Sequence, residues 1–148
     1  MRAEVKVAFL VDSLSSSQKS YEIIRLVNKL VEQGESCIIG VQEISSPCLA
    51  CKAPIYDIVE LFNSPIDIMI STSVSTTLKS LKMFGPKRRI YYLYEIFWKG
   101  KQVDWKFVMD PRLEVFARGA SYRDLVASCF NRDVGIFDIE RLLSGSNA

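Results

Sequence analysis

The residues able to do chemistry in this chain fall in short hydroxyl-rich and acidic stretches. Asp12 ends an apolar run, Val5, Val7, Ala8, Phe9, Leu10 and Val11, and is followed by Ser13, Ser15, Ser16 and Ser17. Ser71, Thr72 and Ser73 follow a second apolar run, Ile66, Ile68, Met69 and Ile70. Hydroxyls just ahead of a helix accept from its unpaired first N–H groups, or help those groups hold a phosphate or sugar. Glu43 closes a third apolar segment, and Glu95 stands among Tyr94, Phe97 and Trp98. An acid flanked by aromatic faces suits a sugar or a protein partner, because the rings cover C–H groups while the acid takes hydroxyls. Asp12 and Glu95 are the candidates for a general base. The chain contains no histidine, no phosphate-binding glycine loop and no paired acids at defined spacing. Ordinary acid–base or nucleophilic machinery is therefore not assembled from obvious parts, and these residues read first as a binding surface.

The four cysteines are Cys37, Cys48, Cys51 and Cys129. Structural zinc usually takes four ligands, and without histidine Cys48 and Cys51 cannot complete such a set in the usual way, so no metal site is expected. Thiol–disulfide exchange is the sharper chemistry for this C-x-x-C pair, since it precedes a stretch of helical periodicity (55–62) whose start could lower a thiol pKa. Cys37 and Cys129 read as small core residues in a reduced interior.

Positioning these groups requires a scaffold, and the patterning supplies one. The first apolar run is the kind expected of a strand covered on both faces. Tyr21, Ile23, Ile24, Val27, Leu30 and Val31 then recur at helical spacing, Gly34 closes the helix, and residues 36–41 read as the next strand, a βαβ unit. A dinucleotide cradle needs glycines where this chain has Ser15, Ser16 and Ser17, so no such cofactor is expected. Further strands are predicted at 66–70, 90–94, 113–117 and 134–137. The helix predicted at 74–84 presents Leu78, Leu81 and Met83 inward, and a later one Tyr122, Leu125, Val126, Cys129 and Phe130. Ile139, Leu142 and Leu143 suggest a closing helix before a polar tail. Lys87, Arg88 and Arg89 read as a solvated entry to the strand at 90–94. The pattern predicts one domain over residues 1–148: an α/β, doubly wound parallel sheet, Rossmann-like and three-layered, with ligands expected at the carboxyl ends of its strands, near residues 12–17.

A formal charge of +2 is too small to imply a nucleic-acid partner. No apolar run approaches the roughly 20 residues of a membrane span, and no secretory leader is evident, so a cytoplasmic location is expected.

In order, these segments resemble the amino-terminal Rossmann-like domain of GT-B glycosyltransferases. The stretch from Val7 through Asp12 and Ser13 to Leu14 looks like that family's first strand and loop, with serines in place of the usual glycine pair. The stretch from Ile66 to Ser73 is similar to its strand ending in small hydroxyl residues. Tyr91 to Trp98 resembles its next strand and acidic-aromatic loop, and Leu113 to Ser121, containing Arg118, its strand before a serine-bearing helix. In that family the sugar nucleotide sits mainly on a second domain, and no segment here looks like one. The resemblance implies either a noncatalytic binding or assembly protein engaging a protein partner or a second copy of itself, or the acceptor-binding subunit of a split transferase. In the latter, Glu43, Ser71, Ser73, Glu95 and Arg118 would line the acceptor side and a sugar or sugar nucleotide would be bound.

Overall fold

The computed structural model describes residues 5–15, 17–43, 50–94 and 105–145. An interior strand of its sheet, β1 (Lys6–Ser13), is buried from Val7 to Val11 because both of its faces are covered. Val7, Phe9 and Val11 share one apolar cluster with Ile23, Ile24, Val27 and Leu30. Ala8 and Leu10 point the other way, into a cluster with Ile58, Leu61 and Met83. That alternation explains why the run reads as continuously apolar.

Helix α1 (Gln18–Glu32) starts at Ser17, whose side chain accepts from the Ser20 N–H. It ends where Gly34 adopts φ +83°, a left-handed conformation that glycine takes at little cost. Strand β2 (Ser36–Glu43) then lies parallel to β1, with Lys6 opposite Ser36 and Ser13 opposite Glu43. After it come β3 (Ile55–Asp57), a 3-10 helix (Ile58–Leu61), β4 (Ile66–Ser71), α2 (Val74–Lys82) and β5 (Pro86–Leu93). A second 3-10 helix (Trp105–Met109), β6 (Leu113–Ala117), α3 (Ala120–Phe130), β7 (Gly135–Ile136) and α4 (Ile139–Gly145) complete the order.

Among the described residues all strand pairs are parallel, and seven strands form one sheet in the order β3-β2-β1-β4-β5-β6-β7. This is the Rossmann-like α/β arrangement the patterning predicts. Helices α1 and α4 contribute to the cluster on one face through Leu30, Ile139, Leu142 and Leu143. Val126 and Phe130 of α3 pack with Tyr91 and Leu93 on the other. The direction of the winding reverses between β2 and β4 on either side of β1, and such a switch opens a crevice at the strands' carboxyl ends.

The structure corrects several local expectations. Residues 55–57 form a strand rather than the first turn of a helix, because Ile39 to Val41 of β2 offer it a parallel edge. Helix α2 stops at Lys82, and its buried face is Thr76, Thr77 and Ser80 rather than Leu78, which is exposed. Polar side chains are tolerated there because each finds a partner: Thr77 Oγ1 donates to Ser73 O at 2.7 Å and Ser80 Oγ to Thr77 O at 2.8 Å. Cys129 and Leu125 lie on the exposed side of α3, since Val126 and Phe130 take its inner positions.

The basic triplet lies inside β5 instead of ahead of it. Arg88 makes a two-pronged ion pair with Glu114 of β6, at 2.9 and 2.7 Å, and Lys87 reaches Asp67 at 3.1 Å. Arg89 is buried, donating to Ser80 O at 2.9 Å and Met83 O at 2.5 Å. It thereby adds a charged donor to Ser80 O, which also accepts from the Met83 N–H at 3.2 Å, and supplies one to Met83 O just past the end of α2.

Candidate functional site at the carboxyl end of the sheet

The carboxyl ends of β1, β2 and β4 bring together a tier of polar side chains across the crevice. Residues 12 and 42 are neighbours because β1 and β2 run in register up to Ser13 and Glu43. Asp12 Oδ1 accepts from Gln42 Nε2 at 2.9 Å and from Ser73 Oγ at 3.0 Å. Gln42 Oε1 in turn accepts from Lys79 Nζ at 2.6 Å, and Gln42 Nε2 also donates to Ser75 Oγ at 2.9 Å. Three separate segments are tied across the switch point in this way, and the bonds among Asp12, Gln42, Ser73 and Ser75 are exposed to solvent.

Both helix starts that face this rim carry their own caps. Ser73 accepts from the Thr76 N–H at 3.1 Å, within a capping box completed by the Thr76 hydroxyl. At α1 the serines bond one another: Ser20 N–H donates to Ser17 Oγ at 3.2 Å and Ser15 N–H to Ser20 Oγ at 3.0 Å. Ser20 Oγ also reaches Ser13 O at 3.3 Å. An incoming phosphate would have to displace these hydroxyls before it met the helix N–H groups.

The residues anticipated as a surface therefore divide. Asp12 and Ser73 meet at the rim, while Glu43 is exposed at the end of β2. Ser71 and Thr72 are buried and serve the scaffold. Ser71 Oγ donates to Ile90 O at 3.1 Å and pairs with Thr77 Oγ1 at 2.7 Å, and Thr72 Oγ1 donates to Leu10 O at 2.8 Å. Ser16, Cys48, Glu95, Phe97 and Trp98 lie outside the described residues.

Arg118, at the end of β6, is sandwiched between two rings. Its guanidinium carbon lies 4.8 Å from the centroid of Tyr94 and 4.8 Å from that of Tyr122, and Nη2 donates to the Tyr122 hydroxyl at 2.8 Å. Stacking of this kind fixes an otherwise flexible side chain in place.

Cys51 lies beside Cys37, close enough to add to the rise in the Cys37 pKa. Burial, with that smaller contribution, pushes the Cys37 thiol up to about 12. Burial raises Cys51 as well, opposed by a smaller lowering from a hydrogen bond with the Ala53 backbone. Raised thiols hold less of the nucleophilic thiolate at neutral pH. Among the described residues, no group of three His, Cys, Asp or Glu side chains is placed to hold a metal ion.

Gln42 and Lys79 escaped the sequence reading. Gln42 was legible as the residue one step before Glu43 at the strand's end, but the roles of Ser75 and Lys79 depend on where α2 sits over β2. A cleft beside Tyr94 was also not evident in the sequence. It has a volume of about 390 Å³ and is walled by Glu22, Leu26, Tyr92, Tyr94, Phe137 and Asp138, among others.

Fold and rim together define a Rossmann-like α/β chain with a polar, side-chain-bridged switch crevice. No protein-family model, no curated protein and no solved structure matches it. No helix among the described residues is long and apolar enough to cross a membrane.

Proposed function

We propose that this chain is a binding and assembly module of the cytoplasm that engages a protein partner through the carboxyl-end rim of its sheet. The observation that carries the reading is the tier joining Asp12, Gln42, Ser73, Ser75 and Lys79. Where a nucleotide site would expose backbone N–H groups in a glycine-lined hollow, this rim offers mutually oriented side chains on an open surface. Donors and acceptors held in position this way suit recognition of another polar surface, because little side-chain freedom remains to be lost on contact. The histidine-free composition is in keeping with binding rather than acid–base turnover.

Capture of native-cell material on the intact chain, identified by mass spectrometry, tests this proposal. Trp98→Ala and Asp12→Lys are expected to lose the captured partner while retaining wild-type circular dichroism. Undiminished capture by both variants would count against the rim as the contact surface.

One alternative, compatible with the Rossmann-like sheet, is that the chain is the acceptor-binding half of a two-chain GT-B-like glycosyltransferase. In that reading Asp12 or Glu95 supplies the base and the partner is a second Rossmann-like chain carrying the sugar nucleotide. Sugar-nucleotide consumption by a co-purified pair, absent from either chain alone, would favour it over pure assembly.

A further inference from the structure

We infer that the cleft between α1, the end of β5 and the start of α4 is a binding site for a small organic cation, a protonated amine carried on an apolar body. The site is separate from the rim tier and does not rest on the partner reading. Its volume, about 390 Å³, is that of a small-molecule site.

The walls are unlike in character. Leu26, Ile136 and Ile139 supply aliphatic surface. Tyr92 and Phe137 stack against each other with centroids 4.0 Å apart and planes inclined by 7°. The charged side chains lining the cleft, among the described residues, are both carboxylates, Glu22 and Asp138. Asp138 is held in place as the cap of α4, accepting from the Glu140 and Arg141 N–H groups at 3.1 and 3.4 Å. Arg118 lies against the Tyr94 ring but is not part of the lining.

Tyr94 supplies the independent sign of a ligand. It is 5% exposed, it lines the cleft, and its hydroxyl is buried without a hydrogen-bond partner among the described residues. Glu22 and Arg118 both lie close enough to that hydroxyl to act on its ionisation, in opposite directions, but neither meets it at full hydrogen-bond geometry. A buried polar group left in this state calls for a ligand or water to satisfy it. An ammonium can donate to the Tyr94 oxygen and to Glu22 at once, while its apolar body packs against Tyr92 and Phe137. A carboxylate or phosphate would instead face Glu22 and Asp138.

The experiment is a set of nitrogen-15 NMR titrations of the intact chain with phenethylamine, 2-phenylethanol and 3-phenylpropionate, which share a phenyl body and differ in charge. Phenethylamine is expected to bind at least about tenfold more tightly than either of the others, with shifts centred on Leu26, Tyr92, Phe137 and Ile139. Glu22→Gln and Tyr94→Phe, each with unchanged circular dichroism, are expected to weaken the amine and to leave the alcohol within about twofold. Equal binding of amine and alcohol, shifts confined to other surfaces, or no saturation by phenethylamine at about 10 mM would overturn the inference. So would amine binding that both variants leave unchanged.

Discussion

Ser73 Oγ donates to Asp12 Oδ1 at 3.0 Å, which joins the ends of β1 and β4 at the point where the winding of the sheet reverses. The same serine accepts from the Thr76 N–H and so starts α2. One hydroxyl therefore both begins a helix and closes the crevice beside it. Ser73→Ala should lower unfolding free energy by about 1–2 kcal/mol, the usual cost of a lost cap. Urea denaturation would measure it, and Ser73→Asn, which can also cap, should recover most of the loss.

Arg89 is a charged side chain buried in the interior. Its guanidinium meets Ser80 O and Met83 O, and no lysine could reach both with the same fork. Arg89→Met is expected to cost about 2–3 kcal/mol, because α2 carbonyls lose a charged donor inside the protein. Arg89→Lys should fall between the two. A fully stable Arg89→Met chain in chemical denaturation would show that those carbonyls find other partners.

Gly85 allows a close approach that no other residue could make. A Cβ there would sit 1.8 Å from Ser64 O, a backbone atom that cannot swing aside. Gly85→Ala should destabilise by about 3 kcal/mol or more, since the turn before β5 must shift. At Gly40 the nearest atom is a leucine methyl, Leu61 Cδ1 at 2.7 Å. Gly40→Ala should accordingly be the milder change in the same thermal melts.

Acid should weaken the fold at two identifiable carboxylates. The Lys6 N–H, bonded at 2.8 Å, and then Lys87 hold Asp67 below its ordinary range against the opposing effect of burial. The hydrogen bonds from Arg112, side chain and backbone, lower Asp110 to about 2. Both pKa values are depressed on folding, so their contributions are complete above about pH 4, where the unfolded chain is also ionised. Stability is then lost as pH falls from about 4 toward the folded values. Stability measured at stepped pH should fall less steeply across that interval in Asp67→Asn and Asp110→Asn than in the wild type.

Tyr94→Phe offers a contrasting expectation. Removing a buried hydroxyl that has no hydrogen-bond partner among the described residues should leave the ligand-free chain as stable or stabilise it by up to about 1 kcal/mol. A clear loss of stability in the melt would mean that the hydroxyl is satisfied in solution.

Much of the scaffold was legible in the sequence because periodicity and punctuation agree there. Val5 to Val11, the α1 stripe ending at Gly34, and residues 113–117 each carry one unambiguous pattern. Residues 55–57 do not: Ile55 and Tyr56 are apolar yet partly exposed, so their spacing suggested a helix although backbone pairing to β2 makes a strand. Leu78 misled for the converse reason, since the hydroxyls of Thr76, Thr77 and Ser80 take the buried positions. At the site, Asp12 and Ser73 could be anticipated as strand-end and cap residues. The participation of Gln42 and Lys79, and the meeting of Glu22 with Tyr94 and Asp138, arise from long-range packing that local pattern does not encode.

The outermost strands of the sheet, β3 with three residues and β7 with two, are also its shortest. A foreign strand needs a long unsatisfied ladder to add to, and among the described residues neither flank provides one. Propagation from copy to copy into fibre-like stacks is thereby discouraged at both margins, even though Ile55 and Tyr56 leave apolar surface open to water.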